Sequence, residues 1–242
     1  MITARGGRAA TEDLCADARK CEYVRAHISH LEVAVTTLLH VSASPRGAAS
    51  ESLALAGAFL DAYREHHPGH RVEHLDLWDG TLPPFGPDAA AAKMAVFAGA
   101  EPEGDAAAAW RAATRVFERF AAADRYLFSV PMWNHGIPYV LKQFVDVVSQ
   151  PGMVFGFDPV RGYSGLLTGR RAAVVYTSAV YGEGRGPAFG NDFQAPYLRD
   201  WLRWAGIEPT VEIEFRPNLA TADADACRRV AHARARDAGK AF

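Results

Sequence analysis

Three loops of the sequence carry groups that could bind a charged, flat ligand. The first contains Ser44, Arg46, Ser50 and Ser52 and leads into a segment with helical periodicity. Because amide groups at the start of a helix carry partial positive charge, this loop could hold a phosphate, with hydrogen bonds from the hydroxyls and charge from Arg46. It lacks the GxGxxG and Gly-Lys-Ser/Thr patterns of dinucleotide and P-loop sites. The alternative is that Ser50 only caps the helix while Arg46 faces water.

The second and third loops offer surfaces for a flat heteroaromatic ring. In the second, Met132 and Trp133 stand beside Asn134, so apolar packing could combine with an amide that bonds the polar edge of a ring. In the third, small residues would let a ring approach the backbone, with Ser178 and Tyr181 as hydrogen-bonding groups. The alternatives are a proline-rich turn with a half-buried tryptophan and a flexible loop.

The elements that must position these loops follow from hydrophobic periodicity. Short apolar or alternating segments predict five strands, at residues 33–41, 71–77, 126–131, 171–178 and 210–215. Helical patterns occupy residues 51–66, 105–122, 137–149, 192–205 and 222–238. Residues 78–104 are expected to be irregular apart from a short alanine-rich helix, and glycine-rich loops are expected at 151–169 and 181–190.

This alternation of strands and helices predicts an α/β fold. The expected architecture is a doubly wound, five-stranded parallel sheet of strand order 2-1-3-4-5, with helices on both faces and right-handed crossovers. In such sheets, ligands bind beyond the carboxyl ends of the strands, near the point where the strand order reverses. The three loops follow strands 1, 3 and 4, so the topology directs all of them to one crevice.

The composition bounds the class of protein. The 242 residues carry a formal net charge of −2, which indicates neither a nucleic-acid partner nor a polybasic membrane binder. The apolar runs are strand-sized, far below the roughly 18 residues of a membrane span. Cys15, Cys21 and Cys227 match no common metal or disulfide pattern, so no metal site is predicted. A sparse, odd set of cysteines favours a reducing cytosol, and we expect a cytoplasmic protein.

Three further features have ordinary structural interpretations. Residues 1–31 are rich in alanine, arginine and small polar residues and lack the apolar stretch of a secretory signal. We expect them to be an N-terminal extension to a domain at residues 32–242: a disordered arm, a short helix around residues 11–26, or upstream sequence outside the fold. The arginine-rich segment 228–236 is expected to be a solvated helix face, and Trp201 and Trp204 to make core or dimer contacts.

Taken together, the loops resemble those of the FMN-dependent NADH:azoreductases within the flavodoxin-like NAD(P)H:quinone reductases. The most specific part is Pro131-Met132-Trp133-Asn134 followed by a Leu-Lys-x-Phe-x-Asp helix at residues 141–146. The resemblance covers roughly residues 33–216, in order. Its other motifs are Ser44 with Ser50-Glu51-Ser52, Gly152-Met153-Val154-Phe155, residues 165–170, Tyr197-Leu198 and Gly206-Ile207.

The resemblance implies an FMN site and an electron donor that is NADH or NADPH. It implies that Ser44, Ser50 and Ser52 hold the phosphate, with Arg46 and Glu51 in the same loop. It implies isoalloxazine contacts from Pro131, Met132, Trp133, Asn134, His135 and Ser178. It also implies a homodimer whose partner chain completes the substrate side of the flavin, with Phe155 and Phe157 near the space for a small aromatic acceptor.

Two departures from the family pattern lie where the acceptor would bind. His135 replaces the usual aromatic residue after the asparagine, and Ala179-Val180-Tyr181 replaces Arg-Gly-Gly. The hypothesis is ping-pong hydride transfer through the flavin to a quinone, an azo compound or a related biosynthetic intermediate, with His135 and Tyr181 as candidate proton donors. Two other classes remain open: a flavodoxin-type electron carrier, and a flavin-free regulatory module on the same fold.

Overall fold

A parallel sheet of five strands forms the centre of the described part of the chain, residues 35–242 of the computed structural model. Its spatial order is β2 (Arg71–Asp76), β1 (Thr37–Ser42), β3 (Arg125–Pro131), β6 (Arg171–Thr177) and β7 (Glu208–Phe215). Because β6 and β7 are the fourth and fifth strands of this sheet along the chain, the five parallel strands and the predicted order 2-1-3-4-5 are confirmed. The expectations for residues 1–31, and for the first two residues of the first predicted strand, lie outside the described residues.

Six α-helices connect or follow these strands. They are α1 (Glu51–His66), α2 (Pro87–Phe97), α3 (Gly104–Ala121), α4 (Tyr139–Val148), α5 (Ala195–Ala205) and α6 (Ala224–Ala241). The bounds of α1 match the prediction. Helix α4 begins two residues later than expected because Pro138 lies at the N-cap with an extended backbone rather than in the first turn.

Alternation along the strands divides the core into two clusters. Phe128 lies with Phe144 of α4 and Trp201 of α5 in the larger cluster. Its neighbour Leu127 lies with Phe59 of α1 in the other, which also includes residues of α6. Because successive side chains of a strand point to opposite faces, each cluster joins helices to the sheet, and the helices flank it.

The expectation of a structureless loop at residues 151–169 is wrong. The segment contains an antiparallel hairpin of β4 (Phe155–Asp158) and β5 (Gly162–Gly165). Glycines interrupt the sequence pattern expected for these strands. One of them, Gly165, is needed for packing against Gly206. A Cβ at Gly165 would lie 2.3 Å from the backbone N of Gly206, so only glycine lets β5 approach the end of α5 this closely.

None of the helices within residues 35–242 is both long enough and apolar enough to cross a membrane. The same residues contain no group of three or more histidine, cysteine, aspartate or glutamate side chains placed to hold a metal ion. Cys227 is exposed and is a free cysteine, whereas Cys15 and Cys21 fall outside the described residues.

Candidate functional site

The loops after β1, β3 and β6 line one cavity of about 230 Å³ at the carboxyl edge of the sheet. Eight residues singled out from the sequence lie on its wall: Ser44, Arg46, Ser50, Glu51, Pro131, Met132, Trp133 and Ser178. Residues from three loops meet here because parallel strands end at the same edge of a sheet. The cavity therefore brings the predicted phosphate loop and the predicted ring-binding loops together.

The first loop delivers the start of α1 to this cavity. A tight turn forms where the amide of Ser50 donates to the carbonyl of Gly47, at 3.0 Å. Gly47 has a φ of +52°, a left-handed conformation that glycine adopts without the strain a side chain would bring. The Ser50 hydroxyl then accepts a hydrogen bond from the amide of Leu53, at 3.3 Å, and caps the helix. Other amides of this first turn lack intrahelical acceptors and can bind an anion.

The three predicted phosphate-binding serines differ in their position. Ser44 and Ser50 are only 4% exposed, yet both line the cavity. Ser52 is fully buried and lies behind them, with its Oγ 3.1 Å from that of Ser50. Ser52 can therefore orient the Ser50 hydroxyl, while Ser44 and Ser50 offer the hydroxyls that a ligand in the cavity can reach.

Glu51, the first residue of α1, has a partner that spacing along the chain could not reveal. Arg228 of α6 approaches both of its carboxylate oxygens, with Nη2 2.8 Å from Oε1. The two residues are separated by 177 positions in the sequence. Arg228 lies in the segment expected to be a solvated helix face, and its partly exposed guanidinium forms this ion pair there.

The second loop contains a strained turn. Trp133 and Gly136 exchange two backbone hydrogen bonds of 2.9 Å, and the residues between them, Asn134 and His135, have φ values of +46° and +72°. A positive φ is uncommon for residues other than glycine, although asparagine and histidine adopt it more often than most. Such conformations persist where the surrounding structure enforces them, often at functional sites. The turn leaves both Asn134 and His135 exposed beside the cavity rather than on its wall.

An aromatic group that the sequence interpretation missed flanks the second loop. Trp78, from the connection after β2, lies 5.6 Å from the ring of Trp133 and 5.2 Å from the ring of Tyr139. Its indole Nε1 donates to the carbonyl of Ala43 in the first loop. The β2 strand was not expected to contribute to the site, and its alternating pattern gave no signal for Trp78.

The third loop is fastened by the segment that follows β7. The Ser178 hydroxyl donates to the carbonyl of Tyr181, within the loop itself. The amide of Asn218 donates to the carbonyl of Ser178 at 2.8 Å, and that of Leu219 to the carbonyl of Ala179 at 3.0 Å. Asn218 and Leu219 also line the cavity, although the sequence gave no reason to select them.

Tyr181 and His135 both lie against the segment that precedes α5. The guanidinium of Arg216 lies 5.7 Å from the Tyr181 ring and pairs with Asp192 at 2.7 Å. Burial, assisted by the nearby negative charge of Asp192, raises the pKa of the Tyr181 phenol, so it stays protonated at neutral pH. The carbonyl of His135 accepts a hydrogen bond from the amide of Phe193, at 2.9 Å. Segment 190–193 thus contacts His135 directly and is linked to Tyr181 through the ion pair between Asp192 and Arg216.

Phe155 and Phe157 lie on the hairpin and not on the wall of this cavity. Phe155 is buried, with its ring 4.6 Å from that of Trp204, and it lines a larger cavity of about 680 Å³. Phe157 is 57% exposed and packs 5.1 Å from Tyr163. The structure of this one chain therefore does not bring these two side chains to the cavity of the three loops.

The wall of the three-loop cavity suits a ligand with a phosphate at one end and a flat ring at the other. The start of α1, two serine hydroxyls and Arg46 offer hydrogen bonds and positive charge for the anion. Met132 and Trp133 offer apolar surface, and Ala179 leaves room beside the backbone. An FMN-like molecule has this combination of groups.

Comparison with known proteins identifies a matching family and similar sequences. A family model described as the flavodoxin-like fold matches residues 36–237. An FMN-dependent NADH:quinone oxidoreductase of Ruegeria pomeroyi is 48% identical over 192 residues, which is 79% of this chain and 94% of that protein. Another of that name from Nitratidesulfovibrio vulgaris is 41% identical over 205 residues, or 83% of this chain and 97% of the relative.

Solved structures share the architecture. An azoreductase from Bacillus anthracis str. Sterne has a TM-score of 0.79 at 26% identity, over 86% of this chain and 100% of that one. An FMN-dependent NADH-azoreductase from Bacillus anthracis str. Ames Ancestor, solved in complex with FMN, has a TM-score of 0.77 at 21% identity, over 86% and 99%. At 21% identity, the similarity to the Ames Ancestor structure shows a common fold and nothing more.

Proposed function

The chain belongs to the family of FMN-dependent NADH:quinone oxidoreductases with a flavodoxin-like fold, and we propose that it uses bound FMN to pass electrons from NADH or NADPH to a small aromatic acceptor. Quinones and azo compounds are the acceptor classes that the names of its relatives indicate. The observation that carries this proposal is the single cavity lined by all three loops.

At the phosphate end of the cavity, we assign binding to the first loop. Ser44 and Ser50 would donate hydroxyl hydrogen bonds, and the first turn of α1 would add backbone amides. Ser52 would orient Ser50 from behind, and Arg46 would supply charge from its exposed position. The position of Ser44 and Ser50 on the cavity wall, beside the start of α1, supports this assignment.

At the ring end, we assign contacts to the second and third loops. Pro131, Met132 and Trp133 would pack against an isoalloxazine, and Ser178 would lie on the opposite wall. Asn134 would reach the polar edge of the ring by its side-chain amide. The tie between the loops supports a rigid site, because the amide of Met132 donates to the carbonyl of Thr177 at 2.7 Å.

Bound FMN supplies the redox chemistry, since a flavin takes a hydride from a nicotinamide and passes electrons on to an acceptor. The protein has to position the reactants, limit water and move protons. We assign proton donation to the reduced acceptor to His135 and Tyr181. The His135 imidazole is exposed and can transfer a proton, and Tyr181, with its raised pKa, carries a proton throughout the neutral range.

Two substitutions test the proton donors separately. His135→Ala and Tyr181→Phe are examined by pre-steady-state kinetics, following the oxidation of reduced enzyme by a quinone. The expected result is slower oxidation by the acceptor, with unchanged reduction by NADH. Unchanged oxidation rates in both variants would contradict the assignment of these two residues as proton donors.

We propose three further properties. The protein is a homodimer in the cytoplasm. Exposed aromatic rings at Tyr139, Phe157 and Tyr163 support the dimer, because they offer apolar surface to a second copy. That second copy would complete the acceptor site together with Phe155. The sheet is doubly wound with helices on both faces, which the two core clusters support. The FMN domain comprises residues 32–242, with residues 1–31 outside it. Light scattering coupled to gel filtration tests the dimer.

Turnover without a protein partner separates this enzyme from an electron carrier on the same fold. FMN-loaded protein is mixed with NADH or NADPH and a small quinone, and nucleotide oxidation is followed. Steady consumption that depends on the quinone is expected. Reduction of the flavin without turnover would contradict the oxidoreductase assignment and favour a carrier that delivers electrons to another protein.

A further inference from the structure

The position of Glu51 poses an electrostatic problem for the proposed phosphate site. Its carboxylate belongs to the first residue of α1 and lines the cavity in which a phosphate would lie. A carboxylate at this position is attracted by the same helix terminus that attracts the phosphate. It would also repel a phosphate dianion, because like charges at close range disfavour each other.

Arg228 forms an ion pair with the Glu51 carboxylate and so reduces this repulsion. Its Nε lies 3.1 Å and 3.2 Å from the two oxygens of Glu51, and its Nη2 lies 2.8 Å from Oε1. Two adjacent nitrogens of a planar guanidinium thus engage one carboxylate, the geometry in which arginine binds such groups most specifically. The pair cancels the charge of Glu51 and fixes the direction of its side chain.

Neighbouring residues hold the guanidinium in this position. Nη1 of Arg228 donates to Asp225, one turn earlier in α6. The guanidinium carbon lies 5.5 Å from the ring of Phe215, which is buried at the end of β7. The Arg228 side chain is therefore set by α6 and β7, and it reaches Glu51 on α1 from outside the cavity wall.

We propose that Arg228 is a positioning residue for the phosphate of FMN, acting by holding and neutralising the Glu51 carboxylate. This inference depends on the proposed function, because it assumes that the cavity binds FMN. With Glu51 neutralised, the positive end of α1 and Arg46 dominate the charge facing the phosphate. Both side chains of the pair are partly exposed, at 37% for Arg228 and 24% for Glu51, so the effect should weaken as salt rises.

The test compares FMN with riboflavin, which has the same ring but no phosphate. Dissociation constants are measured by fluorescence titration for the wild type, Arg228→Gln, Glu51→Gln and the double variant. For Arg228→Gln we expect FMN binding to weaken on the order of tenfold at low salt. Riboflavin binding should stay within about twofold, because without a phosphate the exposed carboxylate has no charge to repel.

The double variant provides the decisive comparison. Removing the carboxylate together with Arg228 should return FMN affinity to within about threefold of the wild type, because no uncompensated carboxylate of this pair remains on the cavity wall and Asp225 is exposed outside it. Arg229→Gln is the matched control: it removes one positive charge from an exposed neighbour on the same helix, and FMN affinity should not change. Arg228→Lys should give partial loss, since lysine lacks the fork geometry.

Three outcomes would overturn the inference. Equal weakening of FMN and riboflavin by Arg228→Gln would show a general structural role, and unchanged FMN affinity would show no role at all. FMN binding that stays weak in the double variant would show that Arg228 does not act through the Glu51 carboxylate. A wild type that binds neither flavin would be a different failure, because it would refute the proposed function first and this inference with it.

Discussion

The indole Nε1 of Trp78 donates a hydrogen bond to the main-chain carbonyl of Ala43, 3.1 Å away. Ala43 immediately precedes the cavity-lining residue Ser44, and Trp78 follows β2, so this contact fastens two connections at the same edge of the sheet. The indole is further held against Trp133 of the second loop. One side chain thus ties the phosphate loop to the ring-binding loop.

Trp78→Phe should loosen both loops. The variant keeps an aromatic ring but leaves the buried carbonyl of Ala43 without its donor, a loss of about 1 kcal/mol in the free energy of unfolding. For a domain of this size we expect Tm to fall by roughly 2–4 °C, and FMN to bind several-fold more weakly. Trp110→Phe, on α3 and lining a different cavity, is the control. FMN affinity that falls equally in both variants would contradict a specific role for Trp78.

Ser50→Ala separates helix capping from phosphate binding. Ser50 caps α1, and Asp223 caps α6 by accepting from the amide of Ala226 at 2.8 Å. Each alanine variant should lose about 1 kcal/mol of stability from its missing cap. Only Ser50→Ala should also weaken FMN, while riboflavin binding stays near the wild-type value. Flavin titrations and urea unfolding curves of both variants test this. Equal FMN affinity in the two variants would show that Ser50 only caps the helix and does not bind the phosphate.

Two glycines near the phosphate loop should respond to alanine in opposite directions. Gly47 has a positive φ, so Gly47→Ala should cost about 1 kcal/mol of stability and displace the loop that presents Ser50. Gly57 lies inside α1, where a Cβ would meet nothing within 4 Å. Gly57→Ala should therefore stabilise the protein by about 0.5–1 kcal/mol. Urea unfolding measures both changes, and a stable Gly47→Ala protein with unchanged FMN affinity would argue against the proposed loop geometry.

A buried histidine outside the cavity makes stability depend on pH. His40 of β1 is 6% exposed, with its Nε2 3.0 Å from Ser129 Oγ and its Nδ1 3.1 Å from Nδ1 of His74. Burial, with the charges of His74 and Arg64, lowers the pKa of His40 from 6.5 to about 3. Arg64 also contacts His74 at 3.2 Å, so this side of the pair already carries positive charge.

The sign of the pH effect follows from this lowered pKa. Between pH 6.5 and 3, His40 binds a proton in the unfolded chain but not in the folded one, so acid favours unfolding. The stabilisation is complete above pH 6.5 and falls as the pH drops. Between pH 7 and 5, the wild type should lose about 2 kcal/mol more than His40→Gln in urea unfolding. A pH slope of His40→Gln equal to that of the wild type would contradict this assignment to His40.

The sequence predicted those parts of the fold that depend on local patterns. Strands such as β3 are nearly continuous apolar runs, as expected for strands buried on both faces, and Pro68-Gly69 lies just beyond the end of α1. The convergence of the three loops also followed, because parallel strands end at one edge. Ser44, Trp133 and Ser178 were expected at this edge for that reason, and all three line the cavity.

The features that the sequence did not predict depend on contacts between distant segments. Arg228 and Glu51 are far apart in the chain, and no periodicity links them. The hairpin was missed because glycine lowers strand propensity, although Gly165 is required for close packing against Gly206. Trp78 follows an exposed edge strand, so its placement against Trp133 came only from the assembled sheet.

The most direct test of the central claim is the visible spectrum of the purified protein before and after anaerobic addition of NADH or NADPH. We predict a flavin spectrum, either as isolated or after adding FMN, that bleaches with a nicotinamide nucleotide and returns with a quinone. A colourless protein that takes up no added FMN would contradict it, and the cavity formed by the three loops would then need a different ligand.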